Sequence, residues 1–135
     1  MLPYAQAFID HLDDEDIFYT EKDEHVVEVS FRGENLSNID VFVFFDQDGD
    51  PLVQLRCWSI ANFKNNESAA LEICNALNSE YRWVKLHLDK DKDIVATIDS
   101  VIDGDLCGEL CLFLVRRMIS ILDEVYPRIA KARWA

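Results

Sequence analysis

Two runs of alternating apolar residues, each doubling back across a short aspartate-rich turn, restrict this chain more than any other feature. Ile39 to Phe45 sets Ile39, Val41, Val43 and Phe45 on one face; Asp46-Gln47-Asp48-Gly49-Asp50-Pro51 reads as a turn, and Leu52 to Ile60 returns. Trp83 to Leu88 sets Val84, Leu86 and Leu88 on one face; Asp89-Lys90-Asp91-Lys92-Asp93 turns, and Ile94 to Ile102 returns. Turns this short join antiparallel neighbours, because a parallel pair needs a long crossover. Asp46, Asp48 and Asp50 hold the same places in the first turn as Asp89, Asp91 and Asp93 in the second. Shared turn physics accounts for that match without a duplication.

The remaining elements follow from spacing. Tyr4, Ala5, Phe8, Ile9 and Leu12 recur at helical intervals, and the acidic run Asp13-Asp14-Glu15-Asp16 ends or follows that helix. Val27, Val29 and Phe31 alternate within His25 to Phe31, which reads as a strand before the turn residues Arg32-Gly33-Glu34-Asn35. Asn65 or Asn66 caps a helix that runs to about Glu80, with Ala70, Leu71, Cys74 and Leu77 as its apolar stripe. Asp105 caps a last helix to about Val125, and Pro127 discourages its continuation. The expected fold is α+β: an antiparallel five-stranded sheet with flanking helices, in the order α-β-β-β-α-β-β-α. It is one domain over 1–135, with a basic C-terminal tail at about 127–135. The order lacks the βαβ alternation of doubly wound folds, and no glycine-rich phosphate loop occurs.

Charge and composition exclude several functions. Asp plus Glu number 26 against 13 Lys plus Arg, a formal charge of −13. Nucleic-acid binding rests on cations that neutralise phosphates, so no nucleic-acid partner is expected. The apolar run Leu110 to Val115 is far short of a membrane span, so no membrane association is expected either. The opening Met1-Leu2-Pro3-Tyr4-Ala5-Gln6-Ala7 lacks a basic start and an apolar core, which points to the cytoplasm.

Candidate chemistry is sparse. Cys57, Cys74, Cys107 and Cys111 form no Cys-x-x-Cys pair, and His11, His25 and His87 are scattered. We read the thiols as buried, reduced and apolar in role, with no metal site. The Asp46-x-Asp48-Gly49-Asp50 run fails as a calcium loop, because Pro51 and Cys57 stand where the glycine and the bidentate glutamate belong. There is no Gly-x-Ser-x-Gly and no His-Glu-x-x-His motif. A non-enzymatic protein without cofactors is expected.

The second face of the sheet is more informative. Pairing Val43 with Val53 sets Asp40 opposite Arg56 and gathers Phe42, Phe44, Leu52 and Trp58. Pairing Leu88 with Ile94 sets Trp83 opposite Asp99, Lys85 opposite Thr97 and His87 opposite Val95. A one-residue slip inverts every such assignment. With helices on one side, this aromatic side is an interface; covered by a helix, it is core. Phe42, Phe44, Trp58 and Trp83 are the expected partner-contact residues. The last helix also wraps more than one apolar stripe, through Leu106, Leu110, Phe113, Leu114, Val115, Met118, Ile119, Ile121, Leu122 and Val125. It is either deeply buried or shared with a partner, and Arg116 and Arg117 are expected to pair with carboxylates. Residues 116–135 hold five basic residues against Asp123 and Glu124, so the tail either docks on the acidic N-terminal region or frays.

The stretch from Cys74 to Asp89 resembles the signature of the YbjN family: an Asn-x-x-Asn helix end, an aromatic strand with a lysine, and an acidic turn. The matching positions are Asn75, Asn78, Trp83, Lys85 and Asp89. Phe31-Arg32-Gly33-Glu34-Asn35 and Phe44-Phe45-Asp46-Gln47-Asp48-Gly49 resemble it as well, so the similarity spans most of residues 4–126. Lys92 stands where a glycine is frequent. The resemblance implies the fold of type III secretion chaperones, usually dimeric, and no catalytic residues. Asn75 and Asn78 read as amides that close the helix end on backbone.

Two readings follow. The first is a chaperone-like interaction module that holds an unknown partner polypeptide on its sheet or at a sheet edge, as a homodimer. The alternative is an acidic inhibitor or immunity-type protein that masks a basic surface.

Overall fold

A computed structural model describes residues 1–134. Helix α1 spans Pro3–Asp14, with Pro3 in the first turn, where a missing N–H costs nothing. Strand β1 is Thr20–Asp23, β2 Val26–Phe31, β3 Ile39–Phe45 and β4 Leu52–Cys57. Helix α2 spans Glu67–Glu80 behind Asn66, and strands β5 and β6 are Lys85–Leu88 and Ile94–Val101. A single 3-10 turn, Gly104–Leu106, leads into the 27-residue helix α3, Cys107–Arg133. Asp105 thus lies within the 3-10 turn and not at a helix cap.

The sheet has six strands, not five, in the order β1-β2-β3-β4-β6-β5, all neighbours antiparallel. The extra strand is β1, Thr-Glu-Lys-Asp, exposed along its whole length. It joins through backbone pairing to β2 and a Lys22–Glu28 ion pair, and carries no apolar alternation to announce it. The last hairpin has the expected register, Lys85 opposite Thr97, His87 opposite Val95 and Leu88 opposite Ile94. The first is shifted by two: Phe45 faces Val53, and Phe42, not Asp40, faces Arg56. A shift of two preserves the faces.

Both hairpin turns are built alike. An Asp46 carboxylate oxygen accepts the N–H groups of Asp48 (3.1 Å) and Asp50 (3.2 Å). Asp89 Oδ1 accepts those of Asp91 and Asp93, both at 2.9 Å. Gly49 and Lys92 occupy the same left-handed position, at φ 85° and 67°. Lys92 takes there a conformation that glycine adopts without steric cost.

The helices cover one face. Val27, Val29, Ile39, Val41, Val43, Leu55, Ala96 and Ile98 are buried on it, together with Phe8, Leu12, Leu77, Cys111, Val115, Met118 and Leu122 from the helices. Helix α1 crosses α3 at Gly108, where a Cβ would lie 2.7 Å from the Ala7 carbonyl oxygen.

Helix α3 does not stop near Val125; it continues through Pro127 to Arg133. Residues 127–133 of the expected basic tail are therefore helical, Ala135 lies outside the described residues, and Arg128 reaches α2 as a two-pronged ion pair with Glu80. The physical reason for the continuation is local. Proline at 127 removes the N–H that would bond the Asp123 carbonyl four residues earlier. Asn35 Nδ2 donates to that carbonyl instead, at 3.0 Å. In return, the Asp123 carboxylate accepts the backbone N–H groups of Asn35 (2.7 Å), Leu36 (2.9 Å) and Glu34 (3.1 Å). The β2–β3 turn and α3 thus satisfy each other. A Cβ on Gly33 would sit 2.3 Å from Asp123 Oδ1, so glycine is required for this approach.

This clasp makes two predictions. Asn35→Ala leaves the Asp123 carbonyl without its donor and should cost about 1 kcal/mol. In a Pro127→Ala background the restored N–H takes over, and the same change should cost only a few tenths; urea denaturation of the four proteins measures the coupling. The N–H groups of Leu36, Asn35 and Glu34 also hold the Asp123 carboxyl below its usual pKa. Such a group stabilises fully above its unfolded value, near 3.9, and less as pH falls through its folded value. Asp123→Asn should be less stable than wild type at pH 7, and the difference should shrink below about pH 4 in thermal melts.

Candidate functional site

The face of the sheet opposite the helices is built by the outward residues of five strands. From β2 come Glu28 and Ser30, from β3 Asp40, Phe42 and Phe44, from β4 Leu52, Gln54 and Arg56, from β6 Thr97, Asp99 and Val101, and from β5 Lys85 and His87. None of these is buried, whereas the residues that alternate with them along β3 all are. Two apolar residues of the open face, Val26 and Val95, are buried.

An aromatic cluster occupies its middle. Trp58 follows the last residue of β4, and its ring meets Phe42 edge-on at 5.1 Å and Phe44 at 5.8 Å. Ser59 turns the chain away with φ 56°, which leaves the indole on the face. Trp58 is 40% exposed and Phe42 and Phe44 are half-buried. Edge-to-face contact of this kind fixes ring orientation before anything binds.

Polar residues brace the cluster. Arg56 lies over the Trp58 ring at 5.9 Å and donates from Nε to Gln54 Oε1 at 2.7 Å. Gln54 Nε2 in turn donates to Asp99 at 2.8 Å. Glu28, opposite Phe42, pairs with Lys22 of β1 at 3.2 Å. Ser30 donates to Asp40 at 2.6 Å. Next to Phe44 the surface dips between Leu52, Asp46, Asp48 and Asp99. The site thus offers flat aromatic area with carboxylates around it, a surface suited to an apolar segment that carries basic side chains.

Three of the four expected contact residues, Phe42, Phe44 and Trp58, come together here. Trp83 does not; it lies against α3, on the helical side. Strand β5 begins only at Lys85, and the Val84 N–H bonds the Arg82 carbonyl at 2.9 Å across Trp83, whose φ is 75°. This tight γ-turn breaks the alternation ahead of the strand, so Trp83 never faces Asp99; Gln54 does. Its indole instead meets Phe113 edge-on at 5.8 Å.

The family-like residues near α2 are structural. Asn78 pairs with Leu86 as a strand would, donating to its carbonyl at 3.0 Å and accepting its N–H at 2.8 Å. Lys85 Nζ donates to the carbonyls of Asn78 (3.0 Å) and Tyr81 (3.3 Å), which closes the C-terminal end of α2. Asn75 takes no part in this and is exposed.

The four thiols are buried. Burial pushes Cys57 and Cys74 up to about 11, and Cys111 to about 12, which keeps them protonated and poor as nucleophiles. No described helix is long and apolar enough to cross a membrane.

Trp83 is 47% exposed. Trp83→Ala should therefore cost about 1–2 kcal/mol in urea denaturation, below the 3–5 kcal/mol of a fully buried aromatic.

No curated protein matches the chain. The family model of YbjN, described as "Putative bacterial sensory transduction regulator", matches residues 6–131. The chain belongs to the YbjN family.

Proposed function

We propose that this protein is a non-enzymatic interaction module that holds a partner polypeptide on the open face of its sheet and works as a homodimer. The observation that carries this reading is the Phe42–Phe44–Trp58 cluster on a face that no helix of the fold covers. The resemblance implies a type III secretion chaperone-like fold, an antiparallel sheet flanked by helices, and we assign the chain that kinship on its antiparallel sheet and three helices, with one strand more than expected. The family's description as a sensory transduction regulator is compatible with an interaction module. The carboxylates favour a partner with basic side chains.

The acidic-inhibitor reading is less well supported. It needs carboxylates gathered on one face, and here they are distributed. Asp13 and Asp14 end α1 and Glu15 and Asp16 follow it, two aspartate trios fill the hairpin turns, Glu67, Glu72 and Glu80 lie on α2, and Asp103, Asp105 and Glu109 surround the start of α3.

The test is affinity capture from a bacterial lysate with mass spectrometry, followed by titration of the captured polypeptide. Phe42→Ser and Trp58→Ala should each weaken its binding by about thirty-fold, near 2 kcal/mol, with little change in melting. A captured polypeptide that binds both variants as tightly as wild type sinks this reading.

A further inference from the structure

The outer side of α3 carries a second apolar surface that the fold leaves uncovered. Leu106, Leu110 and Phe113 recur at helical spacing and are 56, 40 and 42% exposed. The γ-turn at Trp83 is costly for a bulky residue, and it places the indole against Phe113 at the surface. The Arg117 guanidinium covers the same ring at 5.1 Å. Beyond Phe113 an open groove of about 590 Å³ runs between α1 and α3. His11, Arg116 and Arg117 line it, as do Glu15 and Glu109. Contrary to the expectation from sequence, neither arginine forms an ion pair among the described residues.

The most exposed large apolar residue among those described is Phe18, at 95%. It projects from the connector after α1, directly behind Asp13, Asp14, Glu15 and Asp16. That connector is held in place: the Asp16 N–H bonds Asp13 and the Ile17 N–H bonds Leu12, at 3.1 and 2.9 Å. Phe18 is thus an aromatic knob on an acidic, ordered base.

We propose that Phe18 of one copy seats in the groove beside Phe113 of a second copy, reciprocally, in a two-fold dimer. This names the surface for the self-association in the proposed function and rests on that part of it. Two observations select a second copy as occupant. The first is charge and ring chemistry: Asp13, Asp14 and Asp16 flank the knob, and Arg116 and Arg117, without an ion pair among the described residues, border the groove beside Glu15 and Glu109 and offer cation–π contact to an entering ring. The second is position: Glu15 lines the groove and lies three residues before Phe18, so knob and groove adjoin on one molecule. A two-fold axis between adjoining patches pairs each with its complement and closes the assembly at two.

Sedimentation equilibrium of the full chain tests this. Wild type should be a dimer at micromolar concentration. Phe18→Ala and Arg117→Glu should each raise the dimer Kd at least tenfold without altering the circular dichroism spectrum. Trp58→Ala, on the open sheet face, should leave the dimer intact. A dimer that persists unchanged in both Phe18→Ala and Arg117→Glu overturns this interface and leaves the dimer reading standing. A wild type that is monomeric at about 100 μM overturns both, while partner capture by the sheet face is still decided by its own variants.

Discussion

The structure depends on the burial of one stripe of α3. Cys111, Leu114, Val115, Met118, Leu122, Val125 and Ile129 are all at most 3% exposed, and they run along a helix of about 40 Å. That stripe meets α1, α2 and strands β3, β4 and β6. Fully burying one such side chain is worth roughly 1.5–3 kcal/mol, so these seven outweigh any polar contact in the molecule. Because the helices gather around α3 on one side, the other side of the sheet has nothing from this fold to cover it. The same packing that closes the core therefore leaves Phe42, Phe44 and Trp58 outside.

Polar contacts then decide how far α3 extends. A proline twenty residues into a helix is normally a stop or a kink. Here the vacant carbonyl is taken by Asn35, from a turn 88 residues earlier, while Asp123 caps that turn. The added length carries Arg128 to Glu80 and Ile129 into the core. One exchange of hydrogen bonds thereby ties the first hairpin, the last helix and the end of α2 into one unit.

What was legible in the sequence was whatever short-range geometry dictates. Across the short Asp89–Asp93 turn, the supposed pairing of Leu88 with Ile94 is the one the structure has. The longer Asp46–Pro51 turn let the register move by two, yet period-two alternation kept Phe42 and Phe44 on the open face. What was not legible depends on partners remote in sequence. Strand β1 has no apolar pattern, because backbone pairing to β2 and the Lys22–Glu28 ion pair hold it there. Helix α3 was cut short because nothing near Pro127 reveals Asn35. Trp83 was misplaced because a γ-turn, which has no residue signature, shifted the phase just before β5. Asn78 was read correctly as a backbone-binding amide, whereas its neighbour in the motif, Asn75, is exposed and nothing in the structure explains it.

The two borders of the sheet bear on how such a protein survives at high concentration. One border is β1, four residues long, bearing Glu21, Lys22 and Asp23, with its ladder interrupted between Glu21 and Asp23. The other is β5, equally short, entered through the turn at Trp83 and anchored by Lys85 to the end of α2. Short, charged and irregular borders are poor templates for a further strand. A molecule of this shape resists lateral growth into fibres, and under the proposed function a polypeptide would arrive broadside, where side chains and not backbone choose it.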